Sequence, residues 1–91
     1  MINILNSPLF EKQLKDILQE FAKEDLKATQ NFKMYLDTII LNMPSKAKKY
    51  KKSIYFDDEN IKDIDHQGFL IVFLMPREGD ENYVILGIFK K

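Results

Sequence analysis

The sequence predicts an α+β fold: an N-terminal strand, then an antiparallel αα-hairpin packed on a small, mainly antiparallel sheet, in the order βααβββ. Three observations carry this. Phe10, Leu14, Ile17, Leu18 and Phe21 fall at i, i+4, i+7, i+8 and i+11, and the same spacing returns at Phe32, Leu36, Ile39, Ile40 and Met43. Beyond Pro44 this helical period gives way to short apolar runs separated by polar turns. One of those runs, GFLIVFLM at 68–75, never alternates with polar residues, as expected of a strand buried on both faces.

The first strand is expected at residues 2–5. It ends at Asn6, Ser7 and Pro8, a helix start in which the serine hydroxyl accepts from an amide one turn in and proline occupies the first helical position, where its missing N–H costs nothing. The break between the two apolar stripes lies at residues 23–25, where Asp25 can cap the second helix. A connection this short makes the helices antiparallel neighbours. Pro44 is expected to end the second helix, because proline disfavours helical geometry in the residue before it and has no N–H to donate. Ile54, Tyr55 and Phe56 form a possible short strand, residues 57–60 a turn, and residues 61–65 a strand anchored by Ile61 and Ile64. His66, Gln67 and Gly68 form a turn with positive φ at the glycine. Residues 69–75 are the middle strand, 76–81 a loop and 83–89 the last strand. If one face of the middle strand meets the helices, the other needs a cover. The segment around Tyr50 to Tyr55, the chain end or a partner could supply it.

Ninety-one residues make a single domain that buries about two-thirds of its unfolded surface. With no cysteine there is neither a disulfide framework nor a thiolate site, which points to a cytoplasmic protein. No apolar run approaches the ~20 residues of a transmembrane helix, and the start lacks the basic region and cleavage site of a signal peptide, so no membrane partner is expected. Net charge is zero, which argues against a general nucleic-acid binder. The charge is nevertheless segregated: Lys46, Lys48, Lys49, Lys51 and Lys52 precede Asp57, Asp58, Glu59, Asp63 and Asp65, so a basic patch and an acidic patch stand back to back.

The basic run interleaves Tyr50 and Tyr55 with its lysines, a pattern that can hold phosphates and stack bases or can simply be a solvated loop. These residues, with Arg77, are the candidates for binding a nucleic acid or another target. Arg77, the only arginine, is flanked by Glu78, Asp80 and Glu81 and is expected to pair with them. His66, the only histidine, is expected to serve as a turn residue, with catalysis requiring a proton-accepting role near the lysines. The acidic stretch lacks calcium-loop spacing, and the three glycines match no nucleotide motif, so neither a metal nor a cofactor is expected.

The helix start NSPLFEKQLKDIL, the second helix QNFKMYLDTIILNMP, the turn and strand HQGFLIVFLM and the closing YVILGIFKK together resemble the RelE/ParE superfamily of toxins from bacterial toxin–antitoxin pairs, over nearly the whole chain. The resemblance implies a βααβββ toxin, growth-inhibitory and silenced when a cognate antitoxin wraps around it. RelE-like members cut messenger RNA on the ribosome; ParE-like members inhibit DNA gyrase without cleaving a substrate. The RelE-like pattern places lysines on the strand before the Gly-aromatic pair, an arginine after that pair and a tyrosine near the C-terminus. Here those positions hold Asp63 and Asp65, then Leu70, and the sequence stops at Lys91 without the tyrosine. Only Lys90 and Lys91 match the family's terminal basic positions, and they are the carried-over candidates, since the C-terminal strand and tail contribute to toxicity in ParE-like relatives. The resemblance thus implies a ParE-like or otherwise non-nucleolytic toxin. Two alternatives stay open: a ribosome-dependent endonuclease with a relocated lysine-rich site, and a binding module that has lost toxicity.

Overall fold

The computed structural model describes residues 2–91. Its elements are β1 (Asn3–Asn6), α1 (Pro8–Ala22), α2 (Leu26–Lys46), a 3-10 turn (Ala47–Lys49), β2 (Ile61–His66), β3 (Phe69–Leu74) and β4 (Asn82–Lys90). The sheet order is β1-β4-β3-β2, with β1 parallel to β4 and the other neighbours antiparallel. Both helices cover one face. The core there joins Phe10, Phe32, Leu36 and Met43 from the helices to Ile64, Ile71, Phe73, Ile85 and Ile88 from the strands.

The helix starts follow the sequence. Ser7 Oγ accepts from the Phe10 N–H at 3.0 Å, and Asp25 Oδ1 accepts from the Ala28 N–H at 3.0 Å. Pro44, by contrast, does not end α2, which runs on to Lys46. A proline in the last turn forfeits only one helical bond, and Met43 and Ala47, one turn apart, are both buried and hold this stretch against the core.

The β2–β3 turn is tighter than expected. Gln67 (φ 49°) and Gly68 (φ 86°) form it alone, the left-handed pair that suits a two-residue hairpin. His66 therefore belongs to β2. It is buried, with its ring 5.0 Å from that of Phe32 and its Nε2 without a hydrogen-bond partner.

In β4 the register slips by one. Val72 faces Gly87 and Phe73 faces Ile85, so Leu86 is an extra residue, a β-bulge. The slip moves the inward series from Tyr83 and Ile85 to Ile88. The groups released from the ladder are taken by α1 and its cap: Ser7 Oγ donates to the Leu86 carbonyl at 2.9 Å, and Gln13 Oε1 accepts from the Ile88 N–H at 2.9 Å. A side-chain carbon at Gly87 would lie 2.8 Å from that same Oε1, so glycine is what lets Gln13 reach the strand.

Candidate functional site

The opposite face of the sheet carries Leu70 and Val72 from β3, which are buried, and Asp63 and Asp65 from β2 in register with them. No helix covers it. The cover comes from residues 51–56, which cross as a strap. Asp63 N–H donates to the Lys51 carbonyl and Ser53 N–H to the Ile61 carbonyl, so the strap first takes the outer edge of β2. Ile54 N–H then donates to Asp63 Oδ2 at 3.1 Å, Tyr55 N–H to Ser53 Oγ at 3.1 Å, and the Tyr55 ring meets Phe89 edge-on at 4.8 Å. This explains the non-alternating run of β3. It also removes the possible strand at Ile54, Tyr55 and Phe56: the Ile54 and Tyr55 amides are bound by side chains rather than by a ladder, and all three side chains are exposed.

The strap dissolves the expected basic-aromatic surface. Tyr50 turns inward, its ring 5.8 Å from Phe73 at 81°, and acts as a core residue. Lys46, Lys48, Lys49, Lys51 and Lys52 are exposed, with buried Ala47 and half-buried Tyr50 set between them. Lys48 and Lys52 alone share a depression, about 460 Å³, with Lys62 and Glu59. Lys62 was passed over in the sequence because its neighbours are acidic; its register on β2 is what brings it there. Within that group Lys52 is engaged, donating to Asp57 Oδ1 at 3.0 Å.

This hydrogen bond, and then the charge of the ammonium, holds the Asp57 carboxyl below its ordinary value, and Asp57 holds Lys52 above its own. The signs set a window. The Asp57 contribution is present above the unfolded carboxyl's pKa and lost as pH falls through the lowered one; that of Lys52 is present below its unfolded pKa and lost as pH rises through the raised one. Lys52→Met is expected to return Asp57 toward 3.8, read from its side-chain carbon shift during an NMR titration. An unchanged titration would mean that the pair does not form in solution.

The remaining candidates do not converge. His66 is sealed against Phe32, four residues along β2 from Lys62, roughly 13 Å. Arg77 is exposed, and no ion pair among the described residues joins it to Glu78 or Asp80. Lys90 closes β4, while Lys91 donates its backbone N–H to the Gly68 carbonyl and pairs through Nζ with Asp65. Metal-free RNA cleavage needs a base and cations within hydrogen-bond reach of one phosphate. On this sheet face the positions instead hold carboxylates, apolar side chains and a strap. Among the described residues no cluster of His, Cys, Asp or Glu is placed to hold a metal ion, and no helix is long and apolar enough to cross a membrane.

The helical hairpin carries an outward groove. About 550 Å³ in volume, it lies between Leu18 of α1 and Met34, Thr38 and Leu41 of α2. Met34 and Leu41 are 54% and 75% exposed, unusual for large apolar residues on one helix face. A smaller hollow lined by Ile4, Asn6, Leu14, Ile40 and Leu41 continues this groove to β1. Since the strap occupies the outer edge of β2, β1 is the sheet's open edge.

No protein-family model matches this chain, and no curated protein does. A solved structure described as the chromosomal ParDE TA system from P. aeruginosa is similar to it, with 12% identity, a TM-score of 0.70, and coverage of 99% of this chain and 96% of that chain. At that identity the likeness is one of fold. It extends over nearly the whole of both chains and shows the α+β fold expected from the sequence.

Proposed function

We propose that this chain is the toxin of a bacterial type II toxin–antitoxin pair, acting in the cytoplasm by binding a protein target in the ParE manner rather than by cutting RNA. The fold it shares with a ParDE structure supports the toxin reading. The choice within that reading rests on one observation: the sheet face opposite the helices presents Asp63, Asp65 and buried Leu70 beneath a strap of its own chain. Asp63 there repels phosphate, Asp65 ties up the Lys91 ammonium, and the strap denies a nucleotide room to stack. DNA gyrase is the target class that follows from the ParE likeness.

The groove between α1 and α2 suits the antitoxin. Its apolar lining takes the stripe of an amphipathic helix, and the hollow beyond leads to the open edge of β1, where an extended segment can add as a strand. One partner running helix-then-strand would fill both.

The test is pulse labelling after tightly controlled induction in a bacterial host, with labelled thymidine, amino acid and uridine followed over the first minutes. Thymidine incorporation is expected to fall first. Immediate loss of protein synthesis alone would overturn the ParE-like choice and turn attention to Lys48, Lys52 and Lys62. Unimpaired growth would leave a binding module that has lost toxicity.

A further inference from the structure

α1 has a second groove on its other flank. Leu14 and Leu18 serve the hairpin side, whereas Ile17 and Phe21, about 60° around the helix, overlook the C-terminal end of β4. There they form, with Phe69 and Ile88, the apolar floor of a groove of about 510 Å³. The Phe21 ring meets those of Phe32 and Phe69 edge-on at 5.2 and 5.8 Å, so the floor is firm.

The rim is charged unevenly. Asp16 and Glu20 line the α1 side and Lys90 the β4 side. Among the described residues Asp16 pairs with Lys12 of the same helix and Glu20 with Lys23 just past its end, at 3.2 and 3.4 Å, with all four side chains more than half exposed. Such pairs exchange readily for an incoming cation. A polar anchor is present as well. Gln13 is fixed by its Oε1 to the Ile88 N–H, which leaves its Nε2 amino group, also at the groove, as a donor with no partner among the described residues.

We infer that this α1–β4 groove is a second docking site, taking a segment of the target protein that carries an apolar anchor side chain beside a lysine or arginine. The apolar side chain fills the floor, the cation meets Asp16 and Glu20, and a backbone carbonyl of the segment accepts from Gln13 Nε2. Because the hairpin groove lies on the opposite flank of α1, antitoxin and target address separate surfaces. The target assignment rests on the toxin reading; the charge preference of the groove does not.

Two experiments separate these levels. In the first, the labelled protein is titrated by NMR with the tetrapeptides Phe-Lys-Leu-Arg and Phe-Glu-Leu-Asp. The basic peptide is expected to shift the amides of Gln13, Phe21 and Ile88 and to bind at least tenfold more tightly than the acidic one. The double variant Asp16→Lys, Glu20→Lys, whose two sites are exposed and whose fold is checked by the same spectra, is expected to abolish that difference. Equal binding of the two peptides, or shifts confined to Met34, Thr38 and Leu41, would overturn the groove. In the second, the double variant is induced in cells. Loss of growth arrest with the antitoxin still co-purifying supports a target-facing groove; undiminished arrest overturns it. If the wild type arrests nothing, the toxin reading falls and the target assignment with it, while the groove's charge preference stands or falls on the titration.

Discussion

Phe73→Ala is expected to lower the unfolding free energy by about 3–5 kcal/mol, a large share of the roughly 5–14 kcal/mol that a chain of this length holds. Phe73 is fully buried at the centre of the sheet, its ring 5.8 Å from Tyr50 and 6.5 Å from Tyr83. It is the side chain against which the segment leaving α2 closes. Removing it opens a cavity and strips Tyr50 of its aromatic partner, so the urea midpoint should fall by about 1 M or more, given the usual dependence on denaturant. A loss under about 1.5 kcal/mol would show that Tyr50 swings in to fill the space. That outcome would mean the segment leaving α2 repacks readily on this face of the sheet.

The second expected result concerns the bulge. Gln13→Ala leaves the Ile88 N–H buried without an acceptor, at a cost of about 1–3 kcal/mol. Gly87→Ala should cost a similar amount by a different route, because the new methyl group would lie 2.8 Å from Gln13 Oε1 and push the carboxamide off the strand. Both changes break the same bond. The double variant is therefore expected to be no less stable than the worse single variant, a coupling of about 1–3 kcal/mol in the mutant cycle. Full additivity would mean that the glycine serves the strand's own conformation and not the approach of Gln13.

How far the sequence could be followed depends on the range of the forces involved. Ser7 with Pro8, and Asp25, were legible because a cap is satisfied within one turn. The buried run of β3 was legible because the absence of alternation reports both faces at once, and the strap was among the covers it allowed. Pro44 misled because its local cost is outweighed by the burial of Met43 and Ala47, which only the tertiary fold decides. Ile54, Tyr55 and Phe56 misled because β propensity describes side chains that pack on a pleated surface, whereas all three are exposed and Tyr55 meets Phe89 from a strap outside the ladder. The bulge at Leu86 stayed hidden, although Gly87 marks its neighbourhood, because its reason is a glutamine on another element. The candidate site fared worse than the fold. The lysine run left a binding surface and a solvated loop equally open, and Lys62 joins Lys48 and Lys52 only through strand register, while the grooves flanking α1 are formed by residues far apart in the chain.

The strap along β2 also bears on how copies of this protein can meet. A sheet with two bare edges can add neighbours without limit, each new molecule offering a fresh edge to the next. Here residues 51–53 occupy one edge, and among the described residues β1 is the edge left bare. Two copies can join β1 to β1 about a two-fold axis, and that contact uses up the only edge each possesses. Strand-to-strand growth stops at a pair, which guards the chain against polymerising into fibres.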